Sequence, residues 1–240
     1  NEMKINDIAA CIIPSSDPHA SEYIADYWKE REWISGFNGS AGTVVITQTR
    51  AALWTDSRYF LQAENQLKGS GIELMKEGLP ETLSWTDWLA EELKNSEKVG
   101  INTQMFSYNT FNHLKNELGK KGILMISVDL IGKIWKNRPA LPSQPFYIYD
   151  IRFAGETASN KLASLREQMK KNQADTFVIS ALDEIAWLFN IRGNDVDFNP
   201  VVIAYAMVEL DKAILFVDPK KVTDKSAAFL QEQGITIEPY

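Results

Sequence analysis

The chain of 240 residues is 45% hydrophobic and 24% charged, with 25 Lys and Arg against 32 Asp and Glu for a formal net charge of -7, and its isoelectric point lies near 5.0. That length suits one large or two ordinary globular domains, and the acidic balance offers no basic stripe to release counterions from phosphate, which argues against a nucleic-acid or anionic-membrane surface. No stretch approaches the roughly 20 apolar residues of a membrane span, residues 1–4 do not read as a secretory signal, and the one cysteine, Cys11, has no intramolecular partner, so a reducing, cytoplasmic setting is expected.

In chain order, the first strong signal is the apolar run 8–14, which reads as a buried strand containing Cys11. Only residues 4–7 stand before it, so any opening helix is truncated or absent. A helical run over 26–33 leads into Ser35-Gly36-Phe37-Asn38-Gly39-Ser40-Ala41-Gly42. Two β-rich runs follow at 43–47 and 51–54 across a polar turn, and Trp54-Thr55-Asp56-Ser57-Arg58-Tyr59-Phe60 closes the segment. This reads as a glycine loop feeding a hairpin. A phosphate-binding loop would open a helix and end in Lys-Ser or Lys-Thr; this one opens a strand, so its glycines are read as permitting positive φ and close backbone packing.

Farther on, Trp85, Trp88, Leu89 and Leu93 form a helical stripe, 99–101 a short strand, Phe111, Leu114 and Leu118 a second stripe, and 123–128 a strand. Pro139, Pro142 and Pro145 then block both helix interiors and central strands, marking an extended connector. The expected organisation is a first domain over 1–138, a connector over 139–150 and a second domain over 151–240. In the second domain Leu162, Leu165 and Met169 recur at helical spacing, 176–180 reads as a strand, 183–189 as a helix, and 201–208 and 213–217 as paired strands. The order strand, helix, glycine, paired strands matches the first half, an internal repeat of supersecondary order. Alternating strands and helices with tight hairpins predict an α/β fold of mixed sheets flanked by helices, with most tryptophans in the core.

Chemistry-bearing patterns are sparse. His19 and His113 lie far apart, with no His-x-x-x-His or Cys-x-x-Cys spacing to set two metal ligands on one face and no Ser-His or Cys-His arrangement. Asp195 and Asp197, beside Asn194 and Asn199, lack the glycine and closing glutamate of an EF-hand and read as loop caps. Asp183 and Glu184 suit the positive end of a helix. Arg58, just past a strand, is the exception: its guanidinium fork suits a peptide carboxylate or carbonyl, or else an ion pair within the chain. Tyr59 and Trp54 either wall the same groove or pack inward.

Residues 35–42 and 54–60, with Gly36, Phe37, Gly39, Ser40, Gly42, Trp54 and Asp56 as the structural motif, resemble the N-terminal region of Xaa-Pro aminopeptidases, in the creatinase, prolidase and aminopeptidase P superfamily. There SGF-x-GSAG and WTD-x-RYF recur in this order. The run from Ala181 to Gly193, ending at Asn199-Pro200, is similar to the second domain of the three-domain members, so the resemblance covers essentially the whole chain. It implies two tandem creatinase N-terminal-like domains, each a mixed sheet flanked by helices, without the catalytic pita-bread domain. By the family pattern that domain holds two divalent metal ions, usually manganese, and no catalytic residue, metal or cofactor is expected within these residues. The implied activity is removal of the N-terminal residue from short peptides with proline second. These domains would support a homodimer and substrate access, with Arg58 and Tyr59 near the neighbouring subunit's active site. A prolidase-type dipeptidase and a non-catalytic, peptidase-like protein-binding module remain the alternatives.

Overall fold

Ala10–Pro14 forms β1, the strand around which the first sheet is laid, and its unbroken apolar sequence follows from burial on both faces. In the computed structural model, which describes residues 1–240, the chain divides into Asn1–Glu22 with Tyr27–Pro139 as one unit, and Tyr23–Asp26 with Ala140–Tyr240 as the other.

In the first unit a short α1 (Glu2–Ile5) precedes β1, and α2 (Glu30–Ser35) ends on Gly36. The hairpin of β2 (Thr43–Thr47) and β3 (Ala51–Thr55) pairs in antiparallel register, Val44 opposite Leu53, and β2 also pairs antiparallel with β1. Helix α3 (Phe60–Gln66) carries the chain to β4 (Ile72–Lys76), parallel to β3. The chain then crosses to the far side of β1 through α4 (Trp85–Glu92), β5 (Lys98–Ile101), α5 (Tyr108–Lys120) and β6 (Leu124–Ser127), and ends in α6 (Ile131–Ile134). Ser84 and Ser107 cap α4 and α5 by accepting from Asp87 N and Thr110 N. The strand order is β4-β3-β2-β1-β5-β6, with β1, β5 and β6 mutually parallel.

Because helices cover both faces of this sheet, it carries two cores. Cys11, Ile13, Val44 and Leu53 pack with Phe37, Ala63 and Leu67 on one side. Ala10, Ile12, Val45, Trp54, Val99 and Ile101 pack with Trp88, Leu89 and Leu118 on the other.

The second unit follows residues 139–146, which form neither helix nor strand. Its elements are β7 (Tyr147–Ile148), α7 (Ile151–Ala154), α8 (Ala158–Lys171), β8 (Thr176–Ile179), α9 (Leu182–Leu188) and β9 (Ile191–Arg192), with β7 antiparallel to β9. Then come β10 (Ala204–Glu209), β11 (Ala213–Val217), α10 (Asp224–Glu232) and β12 (Ile235–Glu238). The main sheet runs β12-β11-β10-β8. Burial alternates along β10 and β11, and a single core gathers Ala204, Ala206, Val208, Leu215 and Val217 against Leu162, Ile185 and Leu230.

Three details depart from the sequence reading. The helical run 26–33 breaks into a 3₁₀ turn (Asp26–Trp28) followed by α2. The run 201–208 becomes strand only at Ala204, because Ile203 N donates instead to Asp195 Oδ2 at 2.6 Å. The elements α3, β4, α10 and β12 were not anticipated; each is short and largely polar or half-exposed, so its periodicity is weak.

Candidate functional site

The glycine loop between α2 and β2 is organised by a residue outside it. Arg31, on α2, is buried, and its Nη1 and Nη2 donate to the carbonyl oxygens of Phe37 and Gly39 while Nε donates to Ser15 Oγ at 2.8 Å. The guanidinium also lies over the Phe37 ring, 4.8 Å from its centroid. Burial pulls its pKa down to about 10, which still leaves it charged at neutral pH. Ser15 passes the connection on, its Oγ donating to Gly42 O at 2.9 Å. Ser35 closes the turn by donating to Arg31 O at 2.7 Å and accepting from Phe37 N at 3.1 Å.

Gly36 has φ of 73°, a left-handed C-cap that glycine adopts without strain. Gly39 answers a different demand. A Cβ there would stand 2.3 Å from Phe37 Cζ and 2.8 Å from Tyr59 Cδ1. The loop is thus pressed against the WTDSRYF segment: Phe37 and Tyr59 meet edge to face with centroids 6.0 Å apart, Ser40 Oγ and Tyr59 Oη are hydrogen-bonded at 2.7 Å, and Thr55 Oγ1 donates to Ala41 O at 2.7 Å. On the loop's outer side Asn38 Oδ1 accepts from Gln62 and Gln66, both at 2.7 Å.

Trp54 packs inward. It is 2% exposed, meets Trp88 edge-on at 5.5 Å, and donates Nε1 to Leu83 O at 2.8 Å. Arg58 remains outside, its side chain 65% exposed, and is clipped by Asp56 through Nε to Oδ1 at 2.9 Å and Nη2 to Oδ2 at 2.8 Å. This pairing lowers the Asp56 pKa and raises that of Arg58, with hydrogen bonding the leading cause in each. The clip leaves Nη1 out of the pair, and the guanidinium carbon stands 5.2 Å from the Tyr59 ring centroid.

The same device occurs in the second unit, where Asp150 caps α7 and grips Arg152 through Nε at 3.0 Å and Nη2 at 2.8 Å, driving the Asp150 pKa to about 2. An Asp-x-Arg clip at a helix start is therefore a recurrent local structure of this chain. In the third motif the polar groups face inward: Lys161 Nζ donates to Trp187 O at 2.8 Å and Asn190 Oδ1 at 2.7 Å, and Asp195 forms a buried ion pair with Lys221. Asp195 thus supports the fold and is tied to a lysine that the sequence reading did not connect with it.

No group of three or more His, Cys, Asp or Glu side chains is placed to hold a metal ion. The residues of this chain do not fit a dinuclear centre, and no hydrolytic step is derived from them. No helix is long and apolar enough to cross a membrane. Sequence reasoning missed Arg31, although one signal was available: Phe37 and Gly39 present carbonyls in a loop with few donors of its own, which calls for a buried cation nearby.

Comparisons with known proteins place these features. Family models described as creatinase/prolidase N-terminal domain match residues 1–134 and, as a second such model, residues 137–240. Among curated relatives, a probable Xaa-Pro aminopeptidase P of Sordaria macrospora is 43% identical over 99% of this chain and 39% of its own length. Aminopeptidase P2 of Arabidopsis thaliana is 46% identical over 97% of this chain and 33% of its own. The chain therefore spans between a third and two fifths of these relatives. A solved X-prolyl aminopeptidase from Caenorhabditis elegans, described as a cytosolic enzyme with a di-nuclear active site, superposes with a TM-score of 0.92 at 36% identity, over 97% of this chain and 38% of that one.

Proposed function

The chain belongs to the creatinase/prolidase N-terminal domain family, whose models it matches twice in tandem, and from that premise we propose that it is the amino-terminal part of a metal-dependent Xaa-Pro aminopeptidase. One observation carries the reading: relatives named for that activity align with 97–99% of this chain at 43–46% identity, while this chain accounts for only 33–39% of them. In this reading the whole enzyme removes the N-terminal residue from peptides whose second residue is proline. Its two divalent ions, manganese by the motif resemblance, are held by residues outside this chain.

The two domains then act in the cytoplasm on access and assembly, narrowing entry to short peptides and contributing to a homodimer. Arg58 is the substrate-facing candidate. Its guanidinium is fixed by Asp56 with Nη1 free of the pair, a fork pre-set for the carboxylate at the far end of a bound peptide. Tyr59, tied to Ser40 and Phe37, is the wall beside it.

The test is release of the N-terminal residue from a short Xaa-Pro peptide with manganese added. The polypeptide carried through its natural carboxyl terminus is expected to be active and the 240-residue chain inactive. Activity in the 240-residue chain would overturn this placement of the chemistry. A folded but inactive extended protein, across several divalent metals, would move the reading to a non-catalytic protein-binding module.

A further inference from the structure

The two sheets follow one plan up to a point. In the first unit β1 is flanked by the antiparallel hairpin β2–β3, and α3 leads to β4, parallel to β3. In the second, β8 is flanked by the antiparallel hairpin β10–β11, and α10 leads to β12, parallel to β11. The first unit then adds the segment from α4 through β6, which lays β5 parallel along the other edge of β1 and covers one sheet face with Trp88, Leu89 and Leu118. The second unit stops at the equivalent of β4, leaving β8 as the edge of its sheet.

That edge is unfinished in both directions. Alternate residues of an antiparallel edge strand turn N–H and C=O away from their partner, and β8 contains no lysine, proline or bulge to blunt them. Val178 is 67% exposed and Phe177 42%, although the matching strand β1 is buried throughout its apolar run. The register sets Val178, Met207 and Ile214 in one row across the face opposite the core, with Tyr205 and Phe216 in the next. Those positions carry apolar and aromatic residues where a solvent-facing sheet would carry polar ones.

We infer that this edge and face are the docking site for the polypeptide that follows Tyr240 in the intact protein, which adds a strand parallel to β8 and a helix over Val178, Met207 and Ile214. The inference rests on the reading that the chain is part of a longer aminopeptidase, whose relatives are more than twice its length. A second copy pairing through β8 would satisfy the strand edge but leave the apolar row uncovered, which favours the continuation as occupant.

Amide hydrogen exchange on the 240-residue chain and on the polypeptide carried through its natural carboxyl terminus tests this. Peptides spanning 176–179 are expected to exchange about tenfold more slowly, or better, in the extended protein. Val178→Asp is expected to leave the melting temperature of the 240-residue chain unchanged and to lower that of the extended protein by about 4 °C or more. Equal exchange in the two proteins, or an equal effect of V178D on both, would overturn the inference. So would protection of β8 in the 240-residue chain that grows with its concentration and vanishes in V178D, which would assign the edge to a second copy. Peptide hydrolysis on the same samples separates the two readings: an active extended protein with unprotected β8 defeats only this inference, and a protected but inactive one defeats only the aminopeptidase assignment.

Discussion

Arg31 holds Phe37 twice, by a hydrogen bond from Nη1 to its carbonyl oxygen and by lying over its ring at 4.8 Å. Two further bonds, to Gly39 O and Ser15 Oγ, make this one guanidinium the common support of the loop's backbone. Arg31→Ala strands those acceptors in a buried site, and each charged hydrogen bond is worth about 1.5–3 kcal/mol. The first unit is expected to lose roughly 3 kcal/mol or more in urea unfolding, with Arg31→Lys recovering less than half because an ammonium lacks the planar fork. A loss within about 0.5 kcal/mol, the ordinary effect of a surface change, would mean that the loop is held by other contacts.

Gly36 and Gly39 separate two uses of glycine three residues apart. Gly36→Ala meets no atom within 4 Å and suffers only its φ of 73°, a cost of about 1 kcal/mol. Gly39→Ala drives a methyl into Phe37, which is fully buried, and into Tyr59, an overpacking cost of about 1–3 kcal/mol. G39A should therefore also weaken the Ser40–Tyr59 contact, read as a change in tyrosine fluorescence absent from G36A. Equal destabilisation by both would contradict the distinction.

The hairpin 43–55 and helices α5 and α8 were legible because apolar period and turn chemistry agree there, Ser107 and Thr157 capping the two helices as their sequences suggest. Helix α10 was not, since its nine residues bury only Ser226 and Leu230 and its polar face hides the stripe. The loop could be recognised as a motif, yet Arg31 could not be singled out. A lone arginine in an acidic helical run reads as a solvated side chain until the fold shows the carbonyls it faces. Arg58 lies open on the surface as its place after a strand suggests, but its grip on Asp56 follows from the helix start that the two residues share with the Asp150–Arg152 pair only in kind.

Glu30 makes stability depend on pH. Its Oε1 accepts from Arg138 Nη2 at 2.8 Å with both side chains buried, but burial outweighs that attraction and, with Asp129 adding repulsion, lifts its pKa to about 7. A carboxyl raised in the fold favours the fold while it keeps its proton. Its contribution is fully present below the ordinary value of 4.5 and is lost as pH rises through about 7. The stability difference between Glu30→Gln and the parent should therefore move in favour of the variant between pH 5 and pH 8, by on the order of 2 kcal/mol. A difference that stays flat, or moves the other way, would show that the pair is ionised throughout.

Cys11 is expected to be inert in the fold. It is 6% exposed on β1, and burial pushes its thiol pKa up to about 12. Only the thiolate reacts, so at pH 8 a disulfide reagent should label the native chain negligibly and label it stoichiometrically in urea. Labelling of the native chain at the rate of a free thiol would mean that β1 opens locally.

Arg58 and Asp56 distinguish a substrate contact from a surface ornament. Their pair is solvent-exposed, and such pairs contribute little to stability and are screened by salt. Arg58→Ala should accordingly leave the unfolding of this chain unchanged. In the complete enzyme a guanidinium that meets the far end of the peptide contributes binding shared by ground and transition states, so its loss should raise KM several-fold while kcat holds. The increase should be larger for tripeptides and longer than for dipeptides, whose carboxylate lies nearer the cleaved bond. Asp56→Asn, which frees the fork from its clip while keeping the charge on Arg58, should raise KM less than R58A. Unchanged KM in both variants would leave Arg58 with the same role as Arg152, a helix-start clip with no part in peptide binding.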